Sequence, residues 1–239
     1  MPFAWSTFLV TIGAALAGVA LGWWPLADWS RRSMKRERMP RRPLLALPGL
    51  RTLGWPRTLR TPRTLRAIAA VTTAIVFGLL ALRFGLSWTL PALLVFAACA
   101  TVLSIVDLAE QRLPNAVVFP ALGAVAVLLV PATWATGTWM PLLWAVTGAA
   151  AMFAVFLMLA LISPSSMGMG DVKLALVIGL LLGWFGLSAW LVGLLAAFVV
   201  GGLVAIVALV LKRVTLRGSI PFGPSMLAGA LIAVLFVGP

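Results

Sequence analysis

The stretch SPSSMGMGDVKLAL, Ser163 to Leu176, lies between two long apolar runs and places two charged side chains at the edge of the second run. The carboxylate is Asp171, directly after Gly-Met-Gly, and the ammonium is Lys173. Ionisable groups at membrane depth are costly, so each of them suggests a functional site. What this stretch does depends on the apolar runs around it.

The composition is that of an integral membrane protein. Of 239 residues, 63% are hydrophobic and 10% charged, with a mean hydropathy of +1.13, whereas a soluble domain carries about a quarter charged residues. Runs of about 17 to 25 apolar residues are typical of helical spans rather than barrel strands. We therefore predict an all-α, polytopic transmembrane bundle of seven or eight spans, drawn here as eight: 3–24, 67–86, 88–107, 115–132, 139–162, 171–185, 187–211 and 221–238.

The basic residues predict how the chain is oriented. No basic residue precedes the first apolar run, unlike in a signal peptide, so we expect a permanent span with the N-terminus outside. Alternating the loops from there puts 17 of the 18 Lys and Arg residues on the inside, all but Arg83, as the positive-inside rule requires. The predicted parts are an N-terminal anchor (1–24), a cytoplasmic segment expected to be disordered (25–66) and a membrane-embedded core (67–239).

The segment 25–66, called the basic segment below, holds 12 basic and 2 acidic residues and repeats RTL at Arg51, Arg57 and Arg63. Pro56 and Pro62 disfavour a helix within it. The formal charge of +13, next to apolar runs, favours binding to anionic lipid headgroups over nucleic acid. Docking of a partner protein is the alternative interpretation.

Two residue types exclude whole classes of site. The chain has no histidine and a single cysteine, Cys99. Histidine-based catalysis, histidine-ligated metals, disulfides and cysteine zinc sites are therefore excluded. We expect no metal and no cofactor.

Two of the five acidic residues stand at predicted span ends. Asp107 ends the third span and Asp171 opens the sixth, and two crossings between them put both on the cytoplasmic side. Carboxylates that share a site tend to hold one proton between them, so one can activate water while the other acts as an acid. The alternatives are a helix N-cap for Asp171, an interfacial charge for Asp107, a proton- or cation-coupled transporter component, and a scaffold without catalysis.

Three further features could support such a pair. Gly168 and Gly170 either form an ordinary turn or let a peptide backbone approach the carboxylates. Lys173 is expected to point away from Asp171 towards the inner surface, or else to bind a substrate acid or keep Asp171 ionised. The third feature is the segment IPFGP, whose candidate supporting residues are Pro221, Phe222, Gly223 and Pro224. It is either an ordinary helix start, where proline is favoured, or part of a substrate groove.

Taken together, DLAEQRLPN from Asp107, GMGDVKLAL from Gly168 and IPFGP from Ile220 resemble the type IV prepilin peptidases, bacterial members of the GxGD membrane aspartyl proteases. The resemblance covers roughly residues 90–238. It implies that Asp107 and Asp171 are the catalytic pair, without a metal, and that the substrates are prepilins or pseudopilins cut at the cytoplasmic face of the inner membrane. Many such enzymes carry paired CxxC motifs after the first span, linked to N-methylation; the basic segment has no cysteine, which puts that activity in doubt.

Overall fold

The computed structural model describes residues 2–22, 62–163, 167–211 and 221–237. Within these ranges the chain forms helices and no strands, which confirms the predicted all-α fold. The helices are α1 (Pro2–Leu21), α2 (Pro62–Phe84), α3 (Leu90–Glu110), α4 (Asn115–Ala135), α5 (Met140–Ile162), α6 (Met169–Trp184), α7 (Leu187–Val210) and α8 (Gly223–Val237).

Five of the described helices, α2, α3, α4, α5 and α7, are long and apolar enough to cross a membrane. Shorter apolar helices run over Leu9–Leu21 and Gly223–Val237, and α6, at 16 residues, measures about 24 Å at 1.5 Å per residue. The chain is therefore a multi-pass helical membrane protein. The position of the N-terminus outside the membrane stays a prediction.

Most of the basic segment lies outside the described residues. Its last five residues differ from the prediction, because α2 begins at Pro62 and not at residue 67. Proline is tolerated at the first position of a helix, where its missing N–H would have no partner. Pro62 therefore starts a helix that the sequence interpretation expected it to prevent.

Glycines bring α6 against α5. Gly179 and Gly183 in α6 face Gly148 in α5, and a Cβ added to Gly148 would lie 2.7 Å from the carbonyl oxygen of Gly179. Small residues four apart on a membrane helix allow such close backbone contact. This pair is among the most tightly packed in the molecule, together with α7–α8 and α1–α2.

Burial separates inner from peripheral helices. In the most apolar part of each helix, 56% of the residues of α3 are buried but only 17% of those of α7, so α3 lies inside the bundle and α7 faces outward. Most residues of α6 are also buried, including Val172, Leu174 and Leu181. The two helices that carry the membrane aspartates are thus inner helices.

Exposed tryptophans mark the end of the bundle opposite the aspartates. Trp88 precedes α3, Trp134 lies near the end of α4, and Trp139 and Trp144 lie at the start of α5, all of them exposed. Tryptophan is enriched at membrane–water interfaces. This end of the bundle therefore has the composition of one membrane surface.

Candidate active site

Asp107 lies in the last turn of α3, because the helix runs three residues beyond the predicted span end. Its side chain is only 4% exposed. Its backbone carbonyl accepts a hydrogen bond of 2.8 Å from the N–H of Gln111, which ends the helix in the left-handed conformation at φ 53°. The helix end thus holds Asp107 inside the protein.

A backbone donor from a distant helix reaches the same carboxylate. The N–H of Gly223 donates to Oδ2 of Asp107 at 3.0 Å, in a buried hydrogen bond. Gly223 is the first residue of α8, and N–H groups at a helix start lack partners within the helix. The partial positive charge of a helix N-terminus also stabilises a nearby anion.

Asp171 is the third residue of α6, and Gly168 occupies the N-cap position. The N-cap interpretation of Asp171 is therefore wrong. The N–H of Asp171 donates to the carbonyl of Gly168 at 3.0 Å, and the backbone N–H of Gly168 interacts with the Asp171 carboxylate. A carboxylate at this position commonly accepts a bond from the N-cap N–H.

Asp107 and Asp171 line one cavity, with a volume of about 310 Å³. Their carboxylates are near enough to interact electrostatically. A cavity of this volume has room for several water molecules at about 30 Å³ each. We call it the aspartate cavity. The other residues that line it are Gln111, Arg112, Leu113, Asn115, Gly168, Met169, Gly170 and Lys173.

The two glycines before Asp171 play different parts. A Cβ added to Gly170 would lie 2.9 Å from Cβ of Leu113, so the missing side chain lets the first turn of α6 pack on the α3–α4 connection. A Cβ added to Gly168 would lie 3.8 Å from Oδ2 of Asp171, at ordinary contact distance. Space beside the carboxylate therefore exists at Gly168, while at Gly170 it is filled by Leu113.

Lys173, expected to point away from Asp171 towards the inner surface, makes its contacts with a neighbouring helix. It lines the cavity, and its Nζ donates to Oδ1 of Asn115 at 3.0 Å and lies 6.0 Å from the centroid of the Phe119 ring. Both partners belong to α4, which packs beside α6. The long lysine side chain reaches this neighbouring helix, so its partners could not be predicted from the spacing along α6 alone.

Of the IPFGP segment the structure describes residues 221–224, and none of these is among the residues that line the cavity. Gly223 binds Asp107. The ring of Phe222 packs in an aromatic cluster, and its centroid lies 6.2 Å from that of Phe156 and 5.5 Å from that of Phe198. Pro221 is buried and Pro224 is half-buried.

Sequence reasoning missed Gln111, Arg112, Leu113 and Asn115. They follow Asp107 within DLAEQRLPN, where α3 ends and α4 begins at Asn115 after Pro114. The signal was the proline directly before Asn115, since a proline at this position separates two helices. The short connection that results places these four residues around the cavity.

Both aspartates lie within a stretch of the chain that matches a known protein family. A family model described as the type IV leader peptidase family matches residues 94–206, which include Asp107 and Asp171 but not Gly223. Over these residues the chain is similar to the type IV leader peptidase family. No solved structure matches the chain.

Curated relatives carry the name prepilin leader peptidase/N-methyltransferase. The protein of Bacillus subtilis is 29% identical over 171 residues, 70% of this chain and 64% of its own length. Those of Pseudomonas putida and Neisseria gonorrhoeae are 30% and 31% identical, over 71% and 64% of this chain and 58% and 51% of their own lengths. The chain thus spans about half to two thirds of the length of these relatives.

The described residues contain no group of three or more His, Cys, Asp or Glu side chains that could hold a metal ion. Within the aspartate cavity the acidic groups are the two aspartates, and the cationic groups are Arg112 and Lys173. The chemistry available at the site is therefore that of a carboxylate pair next to two cations.

Proposed function

We propose that this protein is a membrane aspartyl endopeptidase that cleaves the leader peptides of type IV prepilins or pseudopilins. The observation that carries the proposal is that Asp107 and Asp171, 64 positions apart in the sequence, line one cavity at the ends of two inner helices. The names of the relatives support the substrate class.

In the proposed reaction the two carboxylates share one proton. The ionised member removes a proton from a water molecule in the cavity, and this water attacks the carbonyl carbon of the scissile amide. The protonated member donates to the amide, so the C–N bond breaks and the products are a carboxylic acid and an amine. Gly168 leaves room beside Asp171 for the substrate backbone.

We propose that the cavity faces the cytoplasm and that the N-terminus lies outside a bacterial inner membrane. The distribution of basic residues supports this orientation. A cysteine introduced at the exposed positions Ala116, near the cavity, or Thr138, at the other end, tests it, because the native Cys99 is buried. The reagent should be a thiol label that does not cross membranes. In intact spheroplasts, Thr138→Cys should react and Ala116→Cys should react only after lysis; the opposite pattern would refute the orientation.

The basic segment is proposed to bind anionic lipid headgroups. If this is its only role, deletion of residues 25–61 with a short flexible replacement should leave cleavage intact in correctly inserted protein. The proposal covers the peptidase activity and not the N-methyltransferase of the relatives' name, because residues 25–66 contain no cysteine.

Co-expression with a cognate prepilin tests the peptidase. The prepilin should shorten on a gel in the presence of the wild type and stay full-length with Asp107→Asn or Asp171→Asn. A transporter that used the same carboxylates would instead conduct ions in proteoliposomes and leave the prepilin uncut. Equal processing by wild type and both variants would refute the proposal.

A further inference from the structure

One oxygen of Asp107 is held by a group that does not line the cavity. Oδ2 accepts the N–H of Gly223 at 3.0 Å, across 116 positions of sequence, and both residues are buried. A hydrogen bond from a neutral donor to a charged acceptor is stronger than one between neutral groups. This bond fixes the position of Oδ2 and therefore the orientation of the Asp107 carboxylate.

The absence of a side chain at Gly223 is as important as its N–H. A Cβ added there would lie 2.6 Å from Oδ2 of Asp107 and 3.3 Å from Cγ, and 3.5 Å from Cδ1 of Leu113. A separation of 2.6 Å is closer than Cβ atoms come to other heavy atoms, so an alanine would displace the carboxylate or the start of α8. The bond to Asp107 therefore requires glycine.

Phe222 sets the position of the peptide that carries this N–H. Its ring packs against the fully buried Phe156 of α5 and against Phe198 of α7. It also lies on the backbone of α7, because a Cβ added to Gly201 would be 2.6 Å from its Cε2. The start of α8 is thus fixed by two helices that carry neither aspartate.

We propose that Gly223 is a positioning residue for the proposed cleavage reaction: it orients the Asp107 carboxylate towards Asp171, and Phe222 holds it in place. This inference rests on the proposed function and adds a role for a residue that the family match does not include. Gly223 does not line the cavity, so it acts through Asp107 and not on the substrate.

The first test is the steady-state kinetics of Gly223→Ala on a prepilin substrate, with protein reconstituted in lipid nanodiscs. Misplacing a catalytic group by about 1 Å costs about 100-fold in rate. We therefore expect kcat to fall by about 100-fold with KM within about twofold of the wild type. The matched control is Gly202→Ala, because nothing lies within 4 Å of a Cβ at that position.

A second pair of variants tests the positioning of Asp107 without changing Gly223 itself. Gly201 and Gly202 are neighbours in α7, but only a Cβ on Gly201 meets the Phe222 ring. Gly201→Ala should lower kcat by about tenfold, which is less than for Gly223→Ala because the Phe222 ring can shift to relieve part of the contact. Gly202→Ala should match the wild type. If Gly223→Ala fails to insert, this pair decides the question.

The outcomes separate the two proposals. If the wild type does not cleave a verified prepilin, the proposed function fails and the inference fails with it. If the wild type cleaves but Gly223→Ala and Gly201→Ala keep kcat within twofold of Gly202→Ala, only the inference is overturned. A rise in KM at constant kcat would also overturn it, because it would place Gly223 in substrate binding.

Discussion

The two ends of the bundle differ in chemistry, although α6 contributes residues to a pocket at each end. At one end the aspartate cavity, about 310 Å³, is lined mainly by polar and charged side chains. At the other end a smaller apolar pocket, about 150 Å³, is lined by Trp144, Thr147, Gly148, Ala151, Gly183, Gly186, Leu187 and Trp190. We call it the tryptophan pocket. About 18 Å of α6 separates Asp171 from Gly183.

The difference shows where the polar groups of this chain are used. At the aspartate cavity, the starts of α6 and α8 direct N–H groups at the two carboxylates, and the connection between α3 and α4 contributes the charge of Arg112. In the tryptophan pocket, the Trp190 Nε1–H donates to the Gly148 carbonyl at 3.0 Å and joins two helices. The first end should therefore control catalysis and the second only stability.

Among changes that keep the charges of the cavity, the largest effect is expected from lengthening a side chain of the proposed catalytic pair. Asp107→Glu keeps the charge but lengthens the side chain by one methylene. Because Asp107 is only 4% exposed, the displaced carboxylate has little room to move back. We expect a loss of cleavage rate of about 100-fold. Initial rates in nanodiscs measure it, with Glu110→Gln one turn further along α3 as the control; a loss below threefold would mean that the position tolerates displacement.

A smaller effect is expected where α6 packs on the connection between α3 and α4. Gly170→Ala would bring Cβ to 2.9 Å from Cβ of Leu113 and push the start of α6. We expect a rate loss of about tenfold, smaller than for Asp107→Glu because the connection can yield. Gly123→Ala, in open space on α4, is the control, and equal rates for the two variants would contradict the packing argument.

A still smaller effect is expected for the bond between Lys173 and Asn115. Because the two side chains form one interaction, Lys173→Met, Asn115→Ala and the double variant should not be additive. We expect each single change to lower the rate by a few-fold, as expected for about 1 kcal/mol, and the double change to lower it no further. If the loss in the double variant equals the product of the two single losses, the two residues act independently.

The smallest effect on cleavage is expected in the tryptophan pocket. Trp190→Phe removes the hydrogen bond to Gly148 and should lower stability by about 1 kcal/mol, a typical value for a bond between membrane helices. Cleavage at a temperature below the unfolding transition should match the wild type. Thermal unfolding in nanodiscs measures the first effect, and a clear rate loss would show that this end also serves catalysis.

The sequence predicted the helical fold because apolar runs of membrane length and sparse charge leave few alternatives. It also singled out Asp107 and Asp171, because carboxylates are rare in such a chain and topology puts these two on one side. The contact of Gly223 with Asp107 could not be predicted, since it depends on how α8 packs against α3. The bond of Lys173 to Asn115 could not be predicted for the same reason, because Asn115 lies on another helix.

The measurement that tests the central claim most directly compares initial cleavage rates of wild type, Asp107→Asn and Asp171→Asn on one purified prepilin in nanodiscs. Binding of the prepilin is measured in parallel. Removal of a general acid or base costs about 10² to 10⁴ in rate, so both variants should fall by at least about 100-fold while still binding prepilin. If either variant keeps more than about a tenth of the wild-type rate, the two aspartates are not the catalytic pair.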